Sequence, residues 1–169
     1  MKTLCFSILL IAFNLTLIAQ SEFDVTENMN YFNEVVSDVE SRNIKKIQNM
    51  VANYNIANAD GFNSKKSSTY DVIFKEYNCK IITTYNSEGK ILNSTEVYSD
   101  MRLPMSLMNQ ILKENKKWYV SSNIQTIKYH HKKDSYKLYQ IELRMDDKIK
   151  QLKFKINTKN NNKSYVVSN

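Results

Sequence analysis

The sequence predicts an α+β fold, an antiparallel β-sheet with two helices packed on one face. Three observations predict it. Apolar residues recur at helical spacing in two separate stretches, within 41–55 and 103–112. Between and after them, stretches rich in β-branched and aromatic residues read as strands. Glycine and proline are scarce, two and one in 169 residues, and they fall where a loop, a hairpin turn and a helix start are required. Laying both helices on one face of such a sheet buries their apolar stripes. It leaves the other sheet face polar and aromatic, open to solvent or a partner.

The elements follow in order. Residues 29–36 read as a first strand. In 41–55, Ile44, Ile47, Val51 and Tyr54 share a helix face with Met50 beside them, Ser41 is the N-cap, and Arg42, Lys45 and Lys46 face water. Residues 57–68 carry the Asn, Asp, Gly and Ser content of a loop. Residues 70–74 set Tyr70, Val72 and Phe74 against Asp71 and Ile73, and 79–85 is a second strand. Asn86-Ser87-Glu88-Gly89 turns the chain, with Gly89 supplying a positive φ, and 90–98 returns. Leu103-Pro104 opens the second helix, where the missing N–H of Pro104 costs little. Its stripe is Leu107, Met108, Ile111 and Leu112. Residues 118–131 form a long, bulged strand. Residues 136–145 put Tyr139, Ile141, Leu143 and Met145 on one face and Tyr136, Gln140, Glu142 and Arg144 on the other. Asp146-Asp147 turns the chain, and Leu152, Phe154 and Ile156 alternate with Lys153 and Lys155.

An offset of 60 residues aligns Ile47 and Val51 with Leu107 and Ile111. The same offset aligns Ile81, Thr83 and Tyr85 with Ile141, Leu143 and Met145, and Leu92 with Leu152. The domain, 20–156, therefore divides into halves 41–98 and 103–156, each a helix followed by three strands, stacked on a shared core. Residues 157–169 are a polar C-terminal tail that frays.

Residues 1–20, MKTLCFSILLIAFNLTLIAQ, have the layout of a secretory signal peptide. Lys2 is its charged start, an apolar run extends from Leu4 to Leu17, and Ala19 is a small residue near the cut. Cleavage falls after Ala19 or Gln20, which makes 1–19 the signal. The run is shorter than the ~20 apolar residues of a spanning helix. The expected location is the periplasm or the exterior, with no stable membrane insertion after signal removal.

Composition excludes several function classes. Two glycines cannot build a Gly-rich phosphate loop, and two cysteines cannot build a disulfide scaffold or a four-thiolate zinc site. The net charge of +7, from 24 Lys and Arg against 17 Asp and Glu, favours solubility and an acidic partner. An exported chain without a recognisable binding motif is not expected to take nucleic acid.

The hairpin residues Glu88-Gly89-Lys90-Ile91, Leu103-Pro104 before the second helix, and Trp118 at a strand start form one set of features. Tyr129-His130-His131-Lys132-Lys133 with Tyr136-Lys137, Ile141-Glu142-Leu143 and Asp147-Lys148 form another. With these, the stretch 70–156 resembles a family of small exported bacterial proteins with a PepSY-like, beta-lactamase-inhibitor-like fold. The resemblance implies the α+β fold and export, with no catalytic residues to carry over. Better-known proteins of similar fold bind other proteins, including hydrolases that they inhibit. The chain departs from the family's pattern after Ile156, where Asn and Lys stand in place of a Gly-rich strand ending.

The chemistry in the sequence is sparse. His130 and His131 are adjacent, so in a strand they point to opposite faces and cannot grip one metal. Cys79 needs a base beside it to be a nucleophile. Asp146 and Asp147 sit in a turn, and no G-x-S-x-G elbow exists. No catalytic residue, metal or cofactor is assigned. The expected function is non-enzymatic binding of an envelope or secreted protein through the open sheet face. Tyr136, Gln140, Glu142, Arg144, Lys153 and Lys155 form that surface, and Lys80, Thr84 and Lys128 extend it. Tyr136 is the aromatic anchor and Arg144 the bidentate charge. The alternatives are a small envelope hydrolase or transferase using Cys79 or His130 and His131, and a structural or stress-response envelope protein.

Overall fold

Side-chain alternation along six long strands decides the architecture, and the strands pair in the order in which the chain makes them. They are β1 (Thr69–Glu76), β2 (Cys79–Asn86), β3 (Ile91–Ser99), β4 (Tyr119–His130), β5 (Lys133–Met145) and β6 (Lys148–Asn157). A two-residue strand, β7 (Val166–Val167), adds to β6, and every neighbouring pair is antiparallel. The computed structural model describes residues 27–36, 41–63, 65, 68–158 and 166–167. The expected signal segment 1–19 and most of the expected tail 157–169 lie outside the described residues.

The turns follow their residues. Gly89 takes φ 81°, and the Asn86 side chain accepts from the Glu88 and Lys90 amides, closing the β2–β3 hairpin. Asp146, at φ 53°, turns β5 into β6. The expected bulges in β4 are present, between Val120 and Ser122 and between Lys128 and His130.

Three helices form one layer on the sheet: α1 (Met29–Val35), α2 (Arg42–Ala52) and α3 (Met105–Glu114). Residues 29–35 are helical rather than a strand. Tyr31 and Val35, both buried, are four apart, a spacing that fits periods of two and of 3.6 alike. The tie comes from Asn28, whose side chain donates to the carbonyls of Ala52 and Gly89 and accepts from the Ile91 amide. That anchors the start of α1 between α2 and the β2–β3 turn. Ser41 caps α2 as expected, its hydroxyl accepting from the Ile44 amide. In α3, Leu107 and Ile111 are buried and Met108 half-buried, but Leu112 is exposed. It follows Ile111 by ~100° around the helix and turns away from the sheet.

A helix followed by three strands occurs twice, but the halves do not share one core as expected: the buried apolar residues form two clusters. One cluster joins α1 and α2 to β2 and β3 through residues such as Val35, Ile47, Val51, Ile81 and Tyr98. The other joins α3 to β5 and β6 through Leu107, Ile111, Ile141, Leu143 and Phe154. Leu92 breaks the 60-residue correspondence. It is half-buried whereas Leu152 is buried, because the β2–β3 register skips it between the pairs Thr84–Asn93 and Tyr85–Ile91.

The covered face of the central strands carries polar groups among its core residues. Glu96 on β3 is fully buried. Its Oε1 accepts from the Tyr31 hydroxyl at 2.7 Å and from Ser94, and its Oε2 from Gln48 Nε2 at 2.8 Å and the Tyr98 hydroxyl at 2.5 Å. All four neighbours are donors, which suits the ionised, acceptor-only carboxylate. Gln125 pairs with Tyr98 on the same face, and Lys137 lies in the row Glu96–Ile127–Lys137; both are buried.

Burial, and then the charge of Glu96, push the phenols of Tyr31 and Tyr98 well above their usual range; Tyr85 is pushed up by burial first. Such groups hold their full contribution below the unfolded-state pKa, about 10 for tyrosine, and lose it as pH rises further. The urea midpoint is therefore expected to fall steeply above pH ~10; a flat alkaline profile would contradict the buried network. Tyr31→Phe removes one hydrogen bond to a charged acceptor and should cost about 2 kcal/mol in the same assay.

Candidate binding face

The face away from the helices is built by the same alternation. It carries Asp71, Ile73 and Lys75 on β1, Lys80, Ile82 and Thr84 on β2, and Thr95 and Val97 on β3. The later strands add Ile124, Thr126 and Lys128, then Tyr136, Leu138, Gln140, Glu142 and Arg144, then Gln151, Lys153 and Lys155. The six residues expected to form the surface all lie here. So do Lys80, Thr84 and Lys128.

The six do not form one cluster. At one end, Arg144 Nε pairs with Glu142 Oε1 at 2.9 Å, and Ser121 and Gln151 also donate to that carboxylate. The Ser121 hydrogen bond first, and then that from Arg144, hold the Glu142 carboxyl below its usual range. Elsewhere on the face, Lys155 Nζ stands 4.1 Å from the centre of the Tyr136 ring, a cation–π contact. Gln140 and Lys153 are cross-strand partners between these two groups. Arg144 and Tyr136, the expected charge and anchor, are therefore both engaged inside the face.

The centre of the face is apolar, which the sequence reading did not anticipate. One cross-strand row runs Lys75–Lys80–Val97–Thr126–Leu138–Lys155 across all six long strands. Its middle is Val97 and Leu138 with Thr126 between them, and its ends are lysines. The adjoining rows contribute Ile73 and Ile82 on one side and Ile124 on the other, with Ile73 55% and Ile124 42% exposed. Isoleucine and valine in a strand read as core from sequence. The signal that identifies them as outward is the parity of their neighbours, since Ile81, Glu96, Gln125 and Tyr139 already occupy the covered face.

Cys79 lies at the start of β2, partly buried, in a cleft of about 550 Å³ between α2 and the β1–β2 turn, beside Ile44, Ile47, Met50 and Tyr98. Burial, and then the charge of Glu96, push its thiol up to about 12. The structure does not bring it to the histidines. Cys79 shares a row with Tyr98 and Gln125, and His130 is farther along β4, roughly 17 Å at the β rise, on the other face. His130 and His131 do not point to opposite faces. His131 lies in the turn after β4, and the two rings stack with centroids 5.1 Å apart and planes 13° apart. Among the described residues no group of three His, Cys, Asp or Glu is placed to hold a metal ion. No helix among them is long and apolar enough to cross a membrane.

Comparison with family models, curated proteins and solved structures finds no match to this chain.

At pH 8 the native Cys79 thiol is expected to react with a disulfide reagent at least tenfold more slowly than in the urea-unfolded chain, because little of it is thiolate. Fast, saturating native labelling would instead mark an activated nucleophile.

Proposed function

We propose that this is an exported, non-enzymatic binding protein of the PepSY-like kind whose open sheet face docks an acidic protein of the cell envelope. The observation that carries the reading is the inversion at the sheet centre. Polar and charged groups, Glu96, Gln125 and Lys137, are buried under the helices, while Val97, Leu138, Ile82 and Ile124 face outward. A chain gains nothing in folding by leaving aliphatic groups in water, and outward aliphatic side chains framed by charged ones suit an interaction site.

Charge selects the partner class. Lys75, Lys80, Lys128, Lys153 and Lys155 frame the apolar row. Of the carboxylates on the face, Glu142 is paired with Arg144, and Asp71, which accepts from the Thr84 hydroxyl at 2.6 Å, lies on the edge strand β1. The complement is a surface with an apolar centre and an acidic rim, for which lysines steer encounter and the centre supplies affinity. Export rests on the layout of residues 1–20. A binding role is supported further by the raised thiol of Cys79 and its distance from the histidines, which leave no assembled nucleophile and base there.

The test is capture from an envelope fraction, read by mass spectrometry, with the wild type and two variants. Lys80→Glu with Lys155→Glu should abolish capture of an acidic protein. Tyr136→Ala with Arg144→Ala should weaken it at least tenfold, the melting temperature in both cases staying near that of the wild type. Capture indifferent to both pairs, or no saturable partner, would sink this reading.

A further inference from the structure

We infer that the protein forms a two-fold dimer by pairing β1 with β1 of a second copy, joining the two sheets edge to edge. The inference stands on the sheet edge and does not depend on the partner proposed above. Among the described residues β1 has a strand on one side only. It pairs with β2 over eight consecutive residues with no register shift, and its sequence, TYDVIFKE, contains no proline or glycine. A long, regular edge of this kind is a template for another strand.

The hairpin fixes which backbone groups are available. The loop Tyr77-Asn78 has two residues, so Glu76 and Cys79 form the hydrogen-bonded pair that closes it. Hydrogen-bonded and non-bonded pairs alternate along an antiparallel ladder. Residues 70, 72, 74 and 76 therefore turn their N–H and C=O groups to β2, and residues 69, 71, 73 and 75 turn theirs outward. Beside this edge a groove of about 420 Å³ runs along residues 69–73.

Side chains select the second copy and its register. Centred on Ile73, an antiparallel β1–β1 pair sets Ile73 against Ile73 and Asp71 against Lys75, twice by symmetry. The two registers one step away set Asp71 or Lys75 against Ile73 and lose both ion pairs. Within one chain Lys75 stands directly opposite Lys80, a like-charge pair that disfavours the ladder. The dimer brings a carboxylate to the other side of Lys75. Ile82 is the cross-strand neighbour of Ile73, so the joint also makes a continuous aliphatic stripe, Ile82–Ile73–Ile73–Ile82, from residues exposed in the single chain. An isologous joint of this type closes on itself and does not propagate.

The experiment is analytical ultracentrifugation of the purified protein over a concentration series, with circular dichroism as the fold check. The wild type is expected to approach twice the monomer mass. Asp71→Lys places lysine against lysine at both ends of the joint and should return it to a monomer. Adding Lys75→Asp to that variant recreates the ion pairs with reversed sign and should restore the dimer. A wild type that stays monomeric at every concentration overturns the inference. So does a dimer that the single charge reversal leaves intact, or one that the double reversal fails to restore.

Discussion

The placement of α1 and α2 depends on one buried carboxylate. Glu96 has no contact with water, and removing an ion of that size from water costs several kcal/mol unless its lone pairs are satisfied. The donors that satisfy it come from separate parts of the chain: Tyr31 from α1, Gln48 from α2, and Ser94 and Tyr98 from its own strand. Apolar packing can hold a helix on a sheet in many registers. Four directed hydrogen bonds to one group allow few. The position of α1, a seven-residue helix with no side-chain cap, is set by that demand at Tyr31 and by Asn28 at its start.

The same group shapes the outer surface. Because neighbouring side chains in a strand take opposite faces, putting Ser94, Glu96 and Tyr98 under the helices sends Thr95 and Val97 outward. On β4, burial of Asn123 and Gln125 likewise sends out Ile124 and Thr126. The apolar strip on the open face is thus the other side of the polar seam beneath the helices. The lysines at its ends follow from the same parity, since Lys80 and Lys155 alternate with buried Ile81 and Phe154.

Much of this fold is legible in the sequence, for identifiable reasons. From Tyr139 onward β5, and then β6 through Phe154, alternate apolar and polar residues cleanly, so their faces follow directly, whereas Lys137 and Leu138 invert the pattern at the start of β5. Helix α2 shows its stripe and its serine cap. Helix α1 is not legible, because Tyr31 and Val35 satisfy two periods at once and the deciding contacts of Asn28 reach 24 to 63 residues along the chain. The candidate face is legible in the second half, where Tyr136, Gln140, Glu142 and Arg144 alternate with core residues. It is hidden on the central strands β3 and β4, where Val97 and Ile124 look like core and Glu96 and Gln125 look like surface. A polar network inverts the pattern on which such readings rest, and long-range hydrogen bonds leave no local trace of it.

Amide hydrogen exchange of Glu96→Gln against the wild type tests the central role of this carboxylate most directly. The amide side chain cannot accept from all four donors, so protection should fall first across α1 and α2, while α3, β5 and β6, which share the second core cluster, keep theirs. Protection that is unchanged in α1 and α2, or lost equally throughout the domain, would contradict the role assigned to Glu96.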